Sequence, residues 1–247
     1  TMKKIHVWVR AVIQLLYFLF IPSAYTAAFN GVKYIFTQMG AKTHLEVTSF
    51  VAALIVLCVY TIVFGRFFCG FACAFGSLGD AVRALYVFIC KKLKKKPITM
   101  KAAVVKKLKV VKYFVLAIIA VTCFTGVYSK AKGFSPWDVF SMLHARNFKL
   151  GGYTLGVVLL VLIVIGMCFQ ERFFCRVLCP MGAVFSILPV LPFSTLRRDR
   201  SECIKGCRAC TMKCPSDIEL APDTAPELSG DCFQCQKCID TCPKGNI

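Results

Sequence analysis

The sequence predicts an all-α integral membrane protein in which four transmembrane helices form two parallel repeats, followed by a small cysteine-rich α+β domain. Three observations carry this expectation. The 247 residues are 57% hydrophobic and only 17% charged, with a mean hydropathy of +0.67, a balance that a soluble core of this size does not need. The stretch Arg66-Phe67-Phe68-Cys69, with Cys73 beyond it, recurs 106 residues later as Arg172-Phe173-Phe174-Cys175 with Cys179, and Gly76 recurs as Gly182. Eight of the 16 cysteines then crowd between Cys203 and Cys242.

The elements follow in order. Lys3, Lys4 and Arg10 precede the uncharged run Ala11 to Asn30, which is long enough to cross a bilayer. Its charged start and small residues near Ala24 to Ala28 resemble a signal peptide, but the run has a counterpart 106 residues on and is read as a retained helix. A polar connection with Lys33, Lys42 and His44 leads to a second span, Val47 to Gly65, which ends at the first cysteine pair. Asp80 and Arg83 make Asp80 to Cys90 too polar to cross, so it is expected as an interfacial helix before Lys91-Lys92-Leu93-Lys94-Lys95-Lys96.

Pro97 breaks that stretch. Lys101, Lys106, Lys107, Lys109 and Lys112 lead into a third span, Tyr113 to Ser129. A loop with Gly133, Ser135-Pro136 and Trp137 follows, and Gly151 to Gln170 is the fourth span, ending at the second cysteine pair. Val177 to Leu196 is uncharged, yet Pro180, Pro189, Pro192 and the Arg197-Arg198 pair favour a re-entrant or interfacial hairpin. Three units result: repeat 1 over 1–98, repeat 2 over 99–200, and the cysteine-rich domain over 201–247.

The net charge of +19 would suit a nucleic-acid binder, but the basic residues bunch beside the apolar runs, where anionic lipid is the nearer partner. Twenty of the 31 fall on one side of the expected topology, six on the other and five in the tail. This asymmetry assigns the N-terminus and the tail to the cytoplasmic side of a multi-pass cell-membrane protein. Close cysteine arrays there imply metal clusters in a reducing compartment rather than disulfides.

The tail reads Cys203-x3-Cys207-x2-Cys210-x3-Cys214-Pro215, then Cys232-x2-Cys235-x2-Cys238-x3-Cys242-Pro243, two consecutive bacterial-ferredoxin motifs. Three near thiolates hold one cubane while the fourth, before Pro, reaches the other cluster. Crossed ligation is therefore expected, with Cys203, Cys207, Cys210 and Cys242 on one [4Fe-4S] cluster and Cys232, Cys235, Cys238 and Cys214 on the second. The domain is expected to be ferredoxin-like α+β. The first motif opens with three intervening residues where two are usual, and a pair of zinc knuckles is the alternative.

With the paired membrane motifs and this tail on the page, the chain resembles the membrane polyferredoxin family of NapH-type quinol dehydrogenase subunits. In that family each membrane motif reads Cys-x3-Cys-Pro; here Cys179-Pro180 conforms and Cys73-Ala74 departs. The resemblance implies a membrane-bound electron-transfer subunit of an oxidoreductase complex. It would pass electrons between a membrane donor or acceptor, a quinol or quinone, or a far-side partner, and the cytoplasmic clusters. Other subunits, a flavin- or haem-carrying protein among them, are the implied partners. Redox-linked metal assembly or regulation by the membrane thiols is the alternative function.

Spans two and four run in the same direction, so a pseudo-twofold along the membrane normal would bring both thiol pairs to one depth. A shared third iron–sulfur cluster on Cys69, Cys73, Cys175 and Cys179 is then the sharpest expectation, beside dithiol chemistry, metal relay or simple packing. Arg66 and Arg172 would offset thiolate charge, or anchor the interface. Cys58, Cys90, Cys123 and Cys168 lack paired spacing and read as small apolar residues; His44 and His144 do not superpose under the 106-residue offset and read as loop residues. No nucleophile with its base, phosphate loop or flavin fingerprint is present, so no catalytic residue is assigned.

Overall fold

In a computed structural model of the chain, residues 2–20, 24–44, 46–100, 102–129, 132–148, 151–191, 196, 203–204, 206–218 and 230–245 are described. Among them are twelve α-helices and no strand. In order they are α1 (Met2–Phe20), α2 (Ala24–Ala41), α3 (Ser49–Phe64), α4 (Phe67–Phe71), α5 (Ala74–Lys92), α6 (Ala102–Leu108), α7 (Val111–Phe124), α8 (Pro136–His144), α9 (Thr154–Phe169), α10 (Pro180–Ile187), α11 (Ala209–Lys213) and α12 (Lys237–Thr241). A π-helical turn, Phe174–Leu178, joins α9 to α10.

The four expected transmembrane helices are corrected by these lengths. α3 and α9, at the second and fourth expected spans, have 16 residues each, about 24 Å at the helical rise, where a crossing needs about 20 residues. The reason is local. Thr48 caps α3, its hydroxyl accepting from Val51 N, and Gly65 ends it at φ 65. An uncharged run thus overstates the helix inside it. α7 has 14 residues and ends at Phe124, five residues short of the third expected span's end. The first expected span divides into α1 and α2, which are bent by 61° to each other. Among the described residues no single helix is long and apolar enough to cross a membrane.

The α+β expectation for the tail is corrected as well. Its described parts contain two five-residue helices, α11 and α12, packed together, and no strand pairs with another. Each helix stops at a Cys-Pro step, Cys214-Pro215 and Cys242-Pro243, because proline cannot extend it. Between Cys232 and Cys238 the backbone turns left-handed at Gln234 (φ 51) and Gln236 (φ 59), which prevents an extended strand there. The interfacial helix expected over Asp80 to Cys90 lies inside α5. Of the expected hairpin, Leu191 N donates to Ile62 O at 2.8 Å, whereas Pro192 and the Arg197-Arg198 pair lie outside the described residues.

One core runs through the bundle. α2 packs on α3 and α7, α5 on α1 and α9, and α8 on α9. Phe75 of the first repeat and Phe174 of the second stack in its centre at 4.4 Å and are wholly buried, with Phe140 4.0 Å from Phe75. Large apolar side chains on the outer faces of α3, α7 and α9 are exposed, among them Val56, Phe114, Ile118, Val121 and Leu162.

Candidate functional site

Each repeat presents its thiols in the same way. A long apolar helix ends, a short helical turn holds the first cysteine, and the second cysteine caps the next helix. Cys69 lies in α4 and Cys73 caps α5; Cys175 lies in the π-helical turn and Cys179 caps α10. Gly182 N donates to Cys179 Sγ at 3.2 Å, and that thiol lies 3.8 Å from Tyr25 Oη. The departure at Cys73-Ala74 leaves the backbone of the capping cysteine unchanged. Cys73 has φ −69 and ψ 123, Cys179 has φ −70 and ψ 114, so proline at the first helical position only reinforces a turn that the cap already makes.

The structure brings the two pairs together. Cys69, Cys73, Cys175 and Cys179 are all buried. Burial pushes the Cys73 thiol up to about 12, and the nearby Cys69 and Cys179 push it in the same direction. Burial likewise pushes Cys179 up to about 12, with Cys175 and Cys69 adding to it. Cys175 is raised by burial and by Cys73 of the other repeat, against the pull of Arg172. Like charges cannot accumulate on four such thiols without a cation among them.

Two arginines cross over the site. Both are about 1% exposed. A Cβ on Gly76 would stand 2.8 Å from Cys69 O and 3.7 Å from Arg172 Nη1; one on Gly182 would stand 3.0 Å from Cys175 O and 2.9 Å from Arg66 Nη2. Each guanidinium therefore packs on the helix start of the opposite repeat, in space that only glycine leaves. Arg172, itself at φ 55, donates from Nη1 to Cys69 O (2.5 Å), from Nη2 to Gly70 O (2.8 Å), and to both oxygens of Asp80. Arg10 Nη2 and Gln14 Nε2 reach the same carboxylate at 2.5 and 2.9 Å. Burial would raise Asp80, but Arg172 and then Arg10 hold it well below the usual carboxylate range.

The tail docks on this site. Phe233, 3% exposed, lies under both guanidinium groups, 4.7 Å from Arg66 and 5.3 Å from Arg172. A Cβ on Gly70 would stand 2.3 Å from Phe233 O. Asp231 pairs with Lys112 at 2.5 Å and lies 3.7 Å from Arg66 and 4.0 Å from Lys109. Lys112 is 1% exposed, so Asp231 neutralises a fully buried ammonium. Arg10 Nη1 donates to Cys235 O (3.4 Å), Arg176 to Pro215 O (2.9 Å) and to Asp217, and Lys237 pairs with Glu171.

Within the tail, Cys232 is pushed up to about 12 by burial, with Cys235, Cys214 and Cys238 acting in the same direction; Cys238 is pushed up to about 12 by burial, Cys235 and Cys214. These four thiols line one small cavity, together with Cys210 and Phe233. Of the other expected set, Cys210 and Cys242 are buried and Cys203 and Cys207 half-buried. Among the described residues, no three His, Cys, Asp or Glu side chains are placed to hold one metal ion. A cubane requires a different arrangement, with each thiolate on its own iron and the ligands surrounding a volume. The repeat site fits such an anionic group on one further observation: Arg66 Nε and Nη2 are buried without a well-formed hydrogen bond, and Cys69 and Cys179 are the thiols that act on this guanidinium.

Sequence reasoning missed several residues here. Asp80 read as a polar interruption and Arg10 as a flanking charge, and Asp231 and Phe233 were not singled out. The available signal was rarity, since the chain has 12 acidic residues against 31 basic ones. Trp137 is buried and Asp138 lies 3.6 Å from Lys33; His144 packs edge-on against Phe18 at 5.0 Å. Cys90 and Cys123 are buried and Cys58 and Cys168 half-buried.

A family model described as a 4Fe-4S binding domain matches residues 47–97 and 153–191. The two matches begin 106 residues apart and take in the repeat thiols, not the tail. An uncharacterised protein of Methanocaldococcus jannaschii, MJ0749, is 33% identical over 193 residues, covering 78% of this chain and 68% of its own. The ferredoxin-type protein NapH of Haemophilus influenzae is 25% identical over 213 residues, 82% of this chain and 68% of that protein. Protein NirI of Paracoccus denitrificans is 30% identical over 185 residues, 71% of this chain but 25% of NirI. No solved structure gives a significant match.

Proposed function

This chain belongs to the NapH-type membrane polyferredoxin family, and on that premise we propose that it is an iron–sulfur electron-transfer protein working within a larger oxidoreductase complex. Cys69, Cys73, Cys175 and Cys179 would hold one cluster. Cys203, Cys207, Cys210 and Cys242 would hold a second, and Cys214, Cys232, Cys235 and Cys238 a third. When bound, such clusters supply one-electron storage at a potential set by nearby charge and hydrogen bonds.

The observation that carries this reading is the packing of the repeat thiols from both halves under two buried guanidinium groups, with the tail seated against them. Arg66 and Arg172 offset the charge of the thiolates. Phe75, Phe174 and Tyr25 exclude water from one side, and Phe233 excludes it from the other. Asp80, Lys112 and Asp231 hold the arginines and the tail in register.

The exposed apolar faces of α3, α7 and α9, and the exposed lysines of 91–96 at the end of α5, support association with a membrane surface. A quinol is the donor class we favour. A groove of about 500 Å³ between α1 and α5 has walls of Leu15, Phe18, Leu78 and Ala81 and a polar end at Arg10 and Asp80. That shape suits an amphiphile with a carbonyl or hydroxyl head.

Iron and acid-labile sulfide counted on anaerobically purified protein test the reading. Three cubanes require about twelve irons and two require about eight. C69S and C175S should each remove about four. An iron count untouched by both substitutions defeats the repeat cluster.

A further inference from the structure

Arg66 and Arg172 are equivalent by the 106-residue repeat and equally buried, but their surroundings are unequal. Arg172 is saturated: Asp80 takes Nε and Nη2, and the carbonyls of Cys69 and Gly70 take Nη1 and Nη2. Arg66 has one committed edge, Nη1, which donates to Gly230 O at 3.3 Å and lies 3.7 Å from Asp231. Its Nε and Nη2 make no well-formed hydrogen bond, and the Cys69 thiol is a side chain close enough to interact with the guanidinium.

The sequence explains the inequality. The position 106 residues after Asp80 is Ser186, so the second repeat offers Arg66 no matching carboxylate. The Ser186 hydroxyl is itself engaged with Ala183 O and Tyr113 Oη, each at 2.9 Å. Arg66's free edge lies at the thiols. A Cβ on Gly182 would be 2.9 Å from Arg66 Nη2 and 3.3 Å from Cys179 Cβ. Cys69 is the largest influence raising the guanidinium against the cost of its burial. A buried cation whose donors meet no better acceptor than a thiol is costly, and native proteins keep such groups where a stronger acceptor arrives.

We propose that Arg66 donates hydrogen bonds to the anionic group held by the four repeat thiols and thereby sets its reduction potential, while Arg172, whose hydrogen bonds go to Asp80 and the carbonyls of Cys69 and Gly70, contributes its charge and ties the two repeats together. The proposal rests on the cluster reading above. Hydrogen bonds and positive charge at a cluster's sulfurs favour its reduced, more negative form. Removing them lowers the potential. Arg66 acts as a positioning residue and takes no electron itself.

The test is a mediated redox titration of the full chain, followed by electron paramagnetic resonance of the signal that C175S abolishes. R66Q should keep its iron and shift that midpoint downward by about tenfold in the reduction equilibrium, or about 59 mV for one electron. R66K, which keeps the charge but loses the planar fork, should shift it less. An unmoved midpoint with iron retained overturns the proposal. So does iron lost from both R66Q and R66K, since Arg66 would then build the site rather than tune it. If C175S removes neither iron nor signal, the cluster reading itself has failed, and this inference falls with it.

Discussion

Arg172 of the second repeat forms a two-point ion pair with Asp80 of the first, Nε 3.2 Å from Oδ1 and Nη2 2.7 Å from Oδ2. The same guanidinium holds the carbonyls of Cys69 and Gly70, so one side chain ties the halves together at their thiols. Removing a partner from such a buried pair leaves an uncompensated charge. D80N should therefore cost about 3–5 kcal/mol, read as a lower denaturation midpoint with an unchanged slope.

The pH dependence follows from the same carboxylate. Burial raises Asp80, and Arg172 and Arg10 more than reverse this, so its folded-state value lies below the ordinary 3.8. A depressed acid stabilises fully above its unfolded value and loses that contribution as pH falls. The stability gap between wild type and D80N should be constant from about pH 7 to pH 5 and narrow below about pH 4. A gap that widens on acidification would contradict the assignment.

Gly70 meets backbone, not a movable side chain, at Phe233 O. G70A should push the tail off its seat while leaving the helices intact. Amide exchange and proteolysis across residues 230–236 should rise, and helical circular dichroism should hold.

Asp231 serves Lys112, Arg66 and Lys109 together. D231N should loosen the tail more than any neutral substitution in the exposed 91–96 lysines, because Lys112 is fully buried and loses its counter-ion. Tail proteolysis rates of the two variants make the comparison.

The exposed lysine band has its own expected phenotype. Glutamine at Lys91, Lys92, Lys94, Lys95 and Lys96 should weaken binding to anionic vesicles by about 1 kcal/mol per charge at low salt. The wild-type affinity should fall as salt screens the attraction, which vesicle sedimentation at two ionic strengths would measure.

Local chemistry in the sequence determined the local parts of this protein. The 106-residue offset, the cysteine that caps each helix, and the Cys-Pro stops of α11 and α12 are set by residues close together in the chain, so the pattern carries them. Helix length was less legible, because uncharged runs conceal caps such as Thr48 and Gly65 and a bend such as the one between α1 and α2. Only the tertiary structure decided that Arg172 would meet Asp80 across 92 residues, that Phe233 would lie under both arginines, and that Arg66 would be left with an open edge beside the thiols. Those contacts depend on which faces pack, and a one-dimensional pattern of residue types does not specify the partner of a buried charge.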